Sequence, residues 1–424
     1  MQELFNKRTL CWAFYDWANS AYATVALSVF FPLVFNNYWF AGSGSDNSTT
    51  PLGIANSIAS LLIVILAPVL GAIADRGGIK KRFLLVFAAT GILFVLALTF
   101  VGRGEWPLAL GVYVMAGLGF SGANIFYDAM IVEVSPRDRL DLVSAFGFGL
   151  GYLGGGLALL VAIVLTSFPH TFGFSGTEQA MLAAFIVVAL WWAVFSIPLF
   201  VGVSETRNHA DAGFVQAIKA GFGQLLATFR EVRRLRVVWL FLLAYWFYID
   251  GVYTIIRMAM DYGVRLGFDQ MSLVKAFLIT QFIGFPAAIL YGKLGEKIGA
   301  KSGILIGIAA YIGVTKFGYS MDNVAQFYTL AIVVGLVQGG VQSLSRSLFA
   351  RIIPASKAAE FFGFYNIMGK FAAFLGPLLM ALVSSYTGDP RLAILSIILL
   401  FAIGGLLLLF VDQADGERLA RSLE

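Results

Sequence analysis

The sequence predicts an all-α membrane protein whose twelve transmembrane helices form two pseudo-symmetric halves of six. Three observations carry this expectation. Of the 424 residues, 59% are hydrophobic and only 12% are charged, about half the charge of a soluble domain. A polar stretch at 71–82, GAIADRGGIKKR, returns at 292–301 as GKLGEKIGAK. Lysine and arginine are also unevenly shared among the segments between apolar runs.

The repeat comes first, because internal self-similarity constrains the whole architecture. Gly71, Asp75, Arg76, Gly78 and Lys80 map onto Gly292, Glu296, Lys297, Gly299 and Lys301 at a constant offset of 221. Each copy lies between two long apolar runs. It must therefore turn in water while its neighbours lie in lipid.

The elements follow in order. A span needs about 20 apolar residues. The first six spans are expected near 9–40, 52–74, 83–101, 107–132, 142–168 and 179–203, which sets the first half at 1–203. Residues 204–236 carry Arg230, Arg233, Arg234 and Arg236 and read as a cytoplasmic linker with an amphipathic surface helix. The second half, 237–424, repeats the plan near 237–260, 272–291, 302–319, 325–350, 361–386 and 392–411, and ends in a short polar tail. Forty-six glycines suit close helix packing in lipid. The single cysteine, Cys11, excludes an intrachain disulfide. No cleavable signal peptide is expected, since the first apolar run is too long.

With the N-terminus in the cytoplasm and the spans alternating, cytoplasmic segments hold 21 of the 29 basic residues and external loops hold Arg103, Arg265 and Arg391. Arg257, Lys275, Lys316, Arg346 and Lys370 fall within or near spans. This is a strong positive-inside signal and puts both termini in the cytoplasm. It also uses up the bases that a nucleic-acid partner would need.

A charge at the bilayer centre costs about 2.5–3.5 kcal/mol on insertion scales, so each one inside a span needs a reason. Span 7 carries Trp246, Asp250, Tyr253 and Arg257 on one helix face. Span 1 carries Tyr15, Asn19, Tyr22 and Ala26 at the same spacing, offset by 231. Asn19 and Asp250 should occupy related places near the midplane, where transporters built from repeats bind substrate. Two readings stay open: Asp250 anchors a substrate walled by Tyr22, Trp246 and Tyr253, or it forms a structural pair with Arg257. Asp16, one to two turns inside span 1, is equally open. Spans 4 and 10 echo each other at an offset of 218, with Asn124, Asp128 and Pro136 matching Gln342, Arg346 and Pro354. Span 11 adds Asn366 and Lys370 on one face. Either Asp128 with Arg346 or Lys370 forms a cytoplasmic gate, or each charge is satisfied within its own half. A buried pair of this kind suits a switch better than a stability device.

Two parallel six-span repeats with this loop resemble the major facilitator superfamily. A narrower resemblance rests on residues 15–22 (YDWANSAY), Asp250-Gly251, residues 345–351 (SRSLFAR) and residues 360–365 (EFFGFY). These are similar to the vacuole-effluxer branch, which includes the autophagy-related amino-acid effluxers of fungi and many bacterial members. The resemblance covers nearly the whole chain and implies alternating access, with spans 4 and 5 meeting spans 10 and 11 when the cytoplasmic side is shut. It sets Asp75 against the start of span 11, where a helix N-terminus favours an anion. It implies export of amino acids. The short loops fit a bacterial plasma (inner) membrane.

Amino-acid chemistry fits in part. Asp250 could meet an ammonium, and Arg257, Arg346 or Lys370 a carboxylate. A cationic drug or a peptide would be served by the same set. Other classes fare worse. His170 and His209 lie in loops on opposite sides, no HExxH or phosphate loop is present, and one cysteine builds no metal site. No enzyme activity and no cofactor are expected, apart from a proton as coupling ion carried by carboxylates such as Asp16, Asp128 or Asp250. A channel or receptor without active transport is the reading from another class. The expected partners are a small solute and the bilayer, and the expected state is a monomer.

Overall fold

The computed structural model describes residues 6–41, 49–204, 235–372 and 374–423. Its helices are α1 (Lys7–Trp39), α3 (Lys80–Phe100) and α4 (Trp106–Val134), with α2 (Thr49–Gly77) between the first two of these. Next come α5 (Leu140–Ser167) and α6 (Thr177–Gly202). The second series is α7 (Arg236–Arg265), α8 (Gln270–Ile298), α9 (Ala300–Tyr319) and α10 (Val324–Ile352). Then α11 runs in two sections, Ala358–Phe371 and Leu375–Thr387. It is followed by α12 (Arg391–Leu409) and the tail helix α13 (Gln413–Ser422).

Eleven of the described helices are long and apolar enough to cross a membrane, and the 29-residue α2 completes the plan of twelve. Side chains such as Leu93, Phe100 and Val201 stand more than 60% exposed on apolar helices. A lipid-facing surface requires this, because hydrocarbon is as apolar as a core. The expected amphipathic linker helix falls at 205–234, outside the described residues.

Within the first series, α1 lies on α5 and α6, and α4 packs on α2 and α3. Within the second, α7 lies on α12, and α10 packs on α8 and α9. The two series meet where α5 packs on α8 and α10, and where α11 packs on α2 and α4.

The repeated loop builds one end of the bundle, here called the motif end. Gly78 has φ +57° and Gly299 has φ +86°. That left-handed conformation is open to glycine and costly for most other residues, which explains why both copies carry glycine there. The bases that follow tie down neighbouring helix ends. Lys80 bridges Asp75 and Glu133, each at 2.9 Å. Lys81 donates to the Val203 carbonyl at 2.7 Å, just past α6. Lys301 donates to the carbonyls of Leu409 at 2.7 Å and Val411 at 2.8 Å, closing α12. Last-turn carbonyls lack intrahelical partners and attract cations.

Two helices depart from the regular plan. The expected single span at 361–386 is interrupted between Phe371 and Leu375. Pro377 cannot donate a backbone hydrogen bond, and its ring would strike the carbonyl four residues back in a continuous helix. In α1 the winding widens to a π-helix over Tyr22–Phe30. The face that starts with Tyr15 and Asn19 therefore does not run on to Ala26.

Candidate functional site

The motif end is closed by side chains that cross between the two series. Arg346 of α10 is only 1% exposed, and every ion-pair partner it has lies in the other series. Its Nη1 donates to Asp128 Oδ1 at 3.0 Å. Its Nη2 donates to Asp16 Oδ2 at 3.3 Å and to the Ser144 carbonyl at 2.9 Å. Its Nε donates to Ser144 Oγ at 2.9 Å. Tyr127 donates its hydroxyl to the same Asp16 oxygen at 2.7 Å. The guanidinium also lies over Phe148 at 4.3 Å, Trp12 at 5.0 Å and Tyr127 at 5.4 Å. Planar arginine suits such a site, with a fork for carboxylates and a face for rings. One second-series cation is thus held by three first-series helices.

Further bridges surround it. Asp141 of α5, 2% exposed, accepts from Arg351 Nη2 at 2.9 Å and from Ser347 at 2.5 Å, both on α10. Glu296 pairs with Arg139 at 3.3 Å. Asp75 accepts the backbone N–H groups of Ala359 at 3.1 Å and Glu360 at 2.8 Å, so a carboxylate from α2 caps the start of α11. Gly71 permits this approach: a Cβ there would stand 2.7 Å from the Ala359 carbonyl carbon. Arg76 lies in α2, and its side chain is outside the described residues.

Nearer the middle of the bundle, neutral groups take over. Asn366 of α11 donates to Asp128 Oδ2 at 3.4 Å. Tyr152 of α5 donates to Gln342 of α10 at 2.8 Å. Asn19 donates to Asn124 Oδ1 at 2.6 Å within the first series. Trp246 and Tyr253 are half-buried, and Arg257 is exposed.

Several site expectations change in this geometry. Asp250 is fully buried and pairs with no cation among the described residues. Its two oxygens accept the backbone N–H groups of Leu375 and Gly376, each at 2.9 Å, and the Thr254 hydroxyl at 3.2 Å. The expected Asp250–Arg257 pair is therefore not formed, because the break in α11 presents backbone donors that hold the carboxylate instead. Asn19 does not face Asp250 but turns to Asn124. Tyr22 is 1% exposed and packs on Phe120 and Trp192 in the first-series core, at ring distances of 4.9 and 5.6 Å. Lys370 does not reach Asp128. The sequence reading missed Asp141, Ser144 and Arg351. Their signal was an acid in the first turn of α5 and a base in the last turn of α10.

The family described as vacuole effluxer Atg22 like matches residues 38–134 and 133–421. The chain belongs to that family. An uncharacterized MFS-type transporter of Bacillus subtilis, YxiO, is 40% identical over 97% of this chain and 96% of its own length. Autophagy-related protein 22 of Saccharomyces cerevisiae is 22% identical over 97% and 93%. Among solved structures, the human organic anion transporter MFSD10 superposes with a TM-score of 0.72 at 16% identity, covering 95% of this chain and 99% of that one. The transporter FucP in its outward conformation gives 0.69 at 13%, covering 97% and 100%. These likenesses show the major facilitator fold, and the family places the chain among the multi-pass secondary transporters.

Proposed function

We propose that the protein exports amino acids or similar small zwitterionic solutes across a bacterial plasma membrane by alternating access, with the motif end and both termini in the cytoplasm. The observation that carries alternating access is the Arg346 cluster. A cation buried between three helices of the other series must part from Asp16 and Asp128 before that end can open. The arrangement favours a two-state element over a fixed strut. Support for the direction comes from the family description as an effluxer. Support for the orientation comes from the excess of bases on the motif side. Half-buried Trp246 and Tyr253 would wall the solute, and Asn124, Gln342 and Asn366 would offer it neutral hydrogen bonds.

The test is flux. Liposomes carrying the purified protein and loaded with labelled amino acids should release them faster than protein-free liposomes with the same load, and a proton gradient should alter the rate if protons couple. No release of any amino acid in either orientation would reject the reading. Single cysteines replacing Ser175 and Ser422, in a background with Cys11→Ser, should label from opposite faces of intact cells. Labelling of both from one face would reject the topology.

A further inference from the structure

Helices α8 and α10 are pinned together part-way along their length. Thr280 of α8 donates its hydroxyl to the Ala331 carbonyl of α10 at 3.1 Å. Gly335 allows the close approach: a Cβ there would stand 3.1 Å from the Thr280 carbonyl oxygen and 3.2 Å from Ile283 Cβ. Toward the starts of both helices, at the end away from the motif loops, a groove of about 460 Å³ opens between them. Lys275, Leu278, Ile279, Phe282 and Ile283 line it from α8, and Tyr328 lines it from α10.

The groove faces lipid. Leu273, Ala276, Thr280 and Ala288 are buried on the packed side of α8, whereas Met271, Lys275, Phe282 and Leu290 are exposed on the other. Its lining is apolar except at the outer end, where Lys275 and Tyr328 stand about one turn inside their helices. A charge set against hydrocarbon is costly. Lysine can reach the headgroup layer from this depth by snorkelling, and its ammonium there calls for an anion. Among the described residues Lys275 makes no ion pair. Asp269, six residues earlier and on another face, spends both oxygens on the Ser272 N–H, at 3.0 and 3.3 Å. A phospholipid brings both complements at once, an acyl chain for the groove and a phosphate for the lysine.

We propose that this groove is a binding site for an anionic phospholipid, with one acyl chain between α8 and α10 and the phosphate on Lys275, beside Tyr328. The volume lies within the roughly 300–1,000 Å³ of ordinary ligand sites. A choline lipid carries its own cation next to the phosphate and gains less from Lys275. The site belongs to the leaflet away from the motif end and is independent of which cargo is carried.

The experiment is photocrosslinking of the purified full-length protein in vesicles, with two probes that share a diazirine-bearing acyl chain. One probe has a phosphatidylglycerol headgroup and the other phosphatidylcholine. Adducts mapped by peptide mass spectrometry should concentrate on residues 278–283, with the choline probe giving about fivefold fewer there, the effect of one lysine near an anionic headgroup. Lys275→Gln should erase that difference, Lys275→Arg should keep it, and raising the ionic strength should shrink it. Ile279→Trp fills the groove and should remove the adducts of both probes from this segment, which tests the chain position apart from the charge. Equal yields from the two probes in the unaltered protein, or a preference that survives Lys275→Gln, would overturn the headgroup assignment. Adducts on 278–283 no denser than on the exposed face of α6 at Leu190, Val194 and Ile197 would overturn the site itself.

Discussion

The carboxylate of Asp250 and the backbone N–H of Gly376 meet at 2.9 Å, so a side chain of α7 closes the start of the second section of α11. Asp250→Asn keeps the shape but turns an amide NH2 toward a backbone donor. The loss of a charged hydrogen bond costs about 1.5–3 kcal/mol. The variant should melt at a lower temperature in detergent, and adding Arg257→Gln should not rescue it, since no ion pair joins the two. Recovery in the double mutant would show that Asp250 and Arg257 are coupled after all.

The second expectation concerns Arg346. Arg346→Gln strands Asp16 and Asp128 without their cation. Removing one partner of a buried pair costs about 3–5 kcal/mol, and each 1.4 kcal/mol is a tenfold shift in population. Asp128→Asn should act in the same direction and more weakly, because Asp16 still meets the guanidinium. Spin labels at Asp138 and Ser356, both exposed at the motif end, should report longer distances in Arg346→Gln. Distributions matching those of the unaltered protein would assign closure to other contacts.

The third concerns the contact between α2 and α11. Gly71→Val places a side chain against the backbone of Ala359 and Glu360, where a Cβ alone would come within 2.7 Å of the carbonyl carbon and 2.9 Å of the Glu360 Cα. Relief requires the two helices to part. A cysteine replacing buried Ala359 should then react faster with a soluble thiol reagent, and Asp75→Asn should give a smaller increase. A folded Gly71→Val protein in which that cysteine stays protected would contradict the expectation.

Much of the fold was legible because its signals repeat. Two glycine turns at an offset of 221 and an uneven base pattern described the helices and their order. The offset of 218 paired Asp128 with Arg346, and the structure brings those two together. What periodicity could not show was where a helix stops being regular. Asp250 looked like a free midplane charge because an unbroken α11 would have bonded its own N–H groups, and Gly376-Pro377 was the overlooked sign of the break. Tyr22 looked like a cavity wall because it shares a helix face with Tyr15 and Asn19, and hydropathy could not show that this face packs on α4 and α6 inside the first half. The repeat also matched Lys80 with Lys301, yet Lys81 does for α6 what Lys301 does for α12. One residue of slippage inside a loop leaves hydropathy unchanged and still exchanges the tasks of two lysines.

The two sections of α11 are anchored to different bodies. Asp75, from the first half, grips the start of the lower section, and Asp250, from the second half, grips the start of the upper one. The joint between Phe371 and Leu375 then works as a clutch. While Asp75 holds, the lower section is engaged with the first half. Once it lets go, that section is free to travel with its own half. Opening the motif end would then require the lower section to part from α2, while the upper section stays seated on α7.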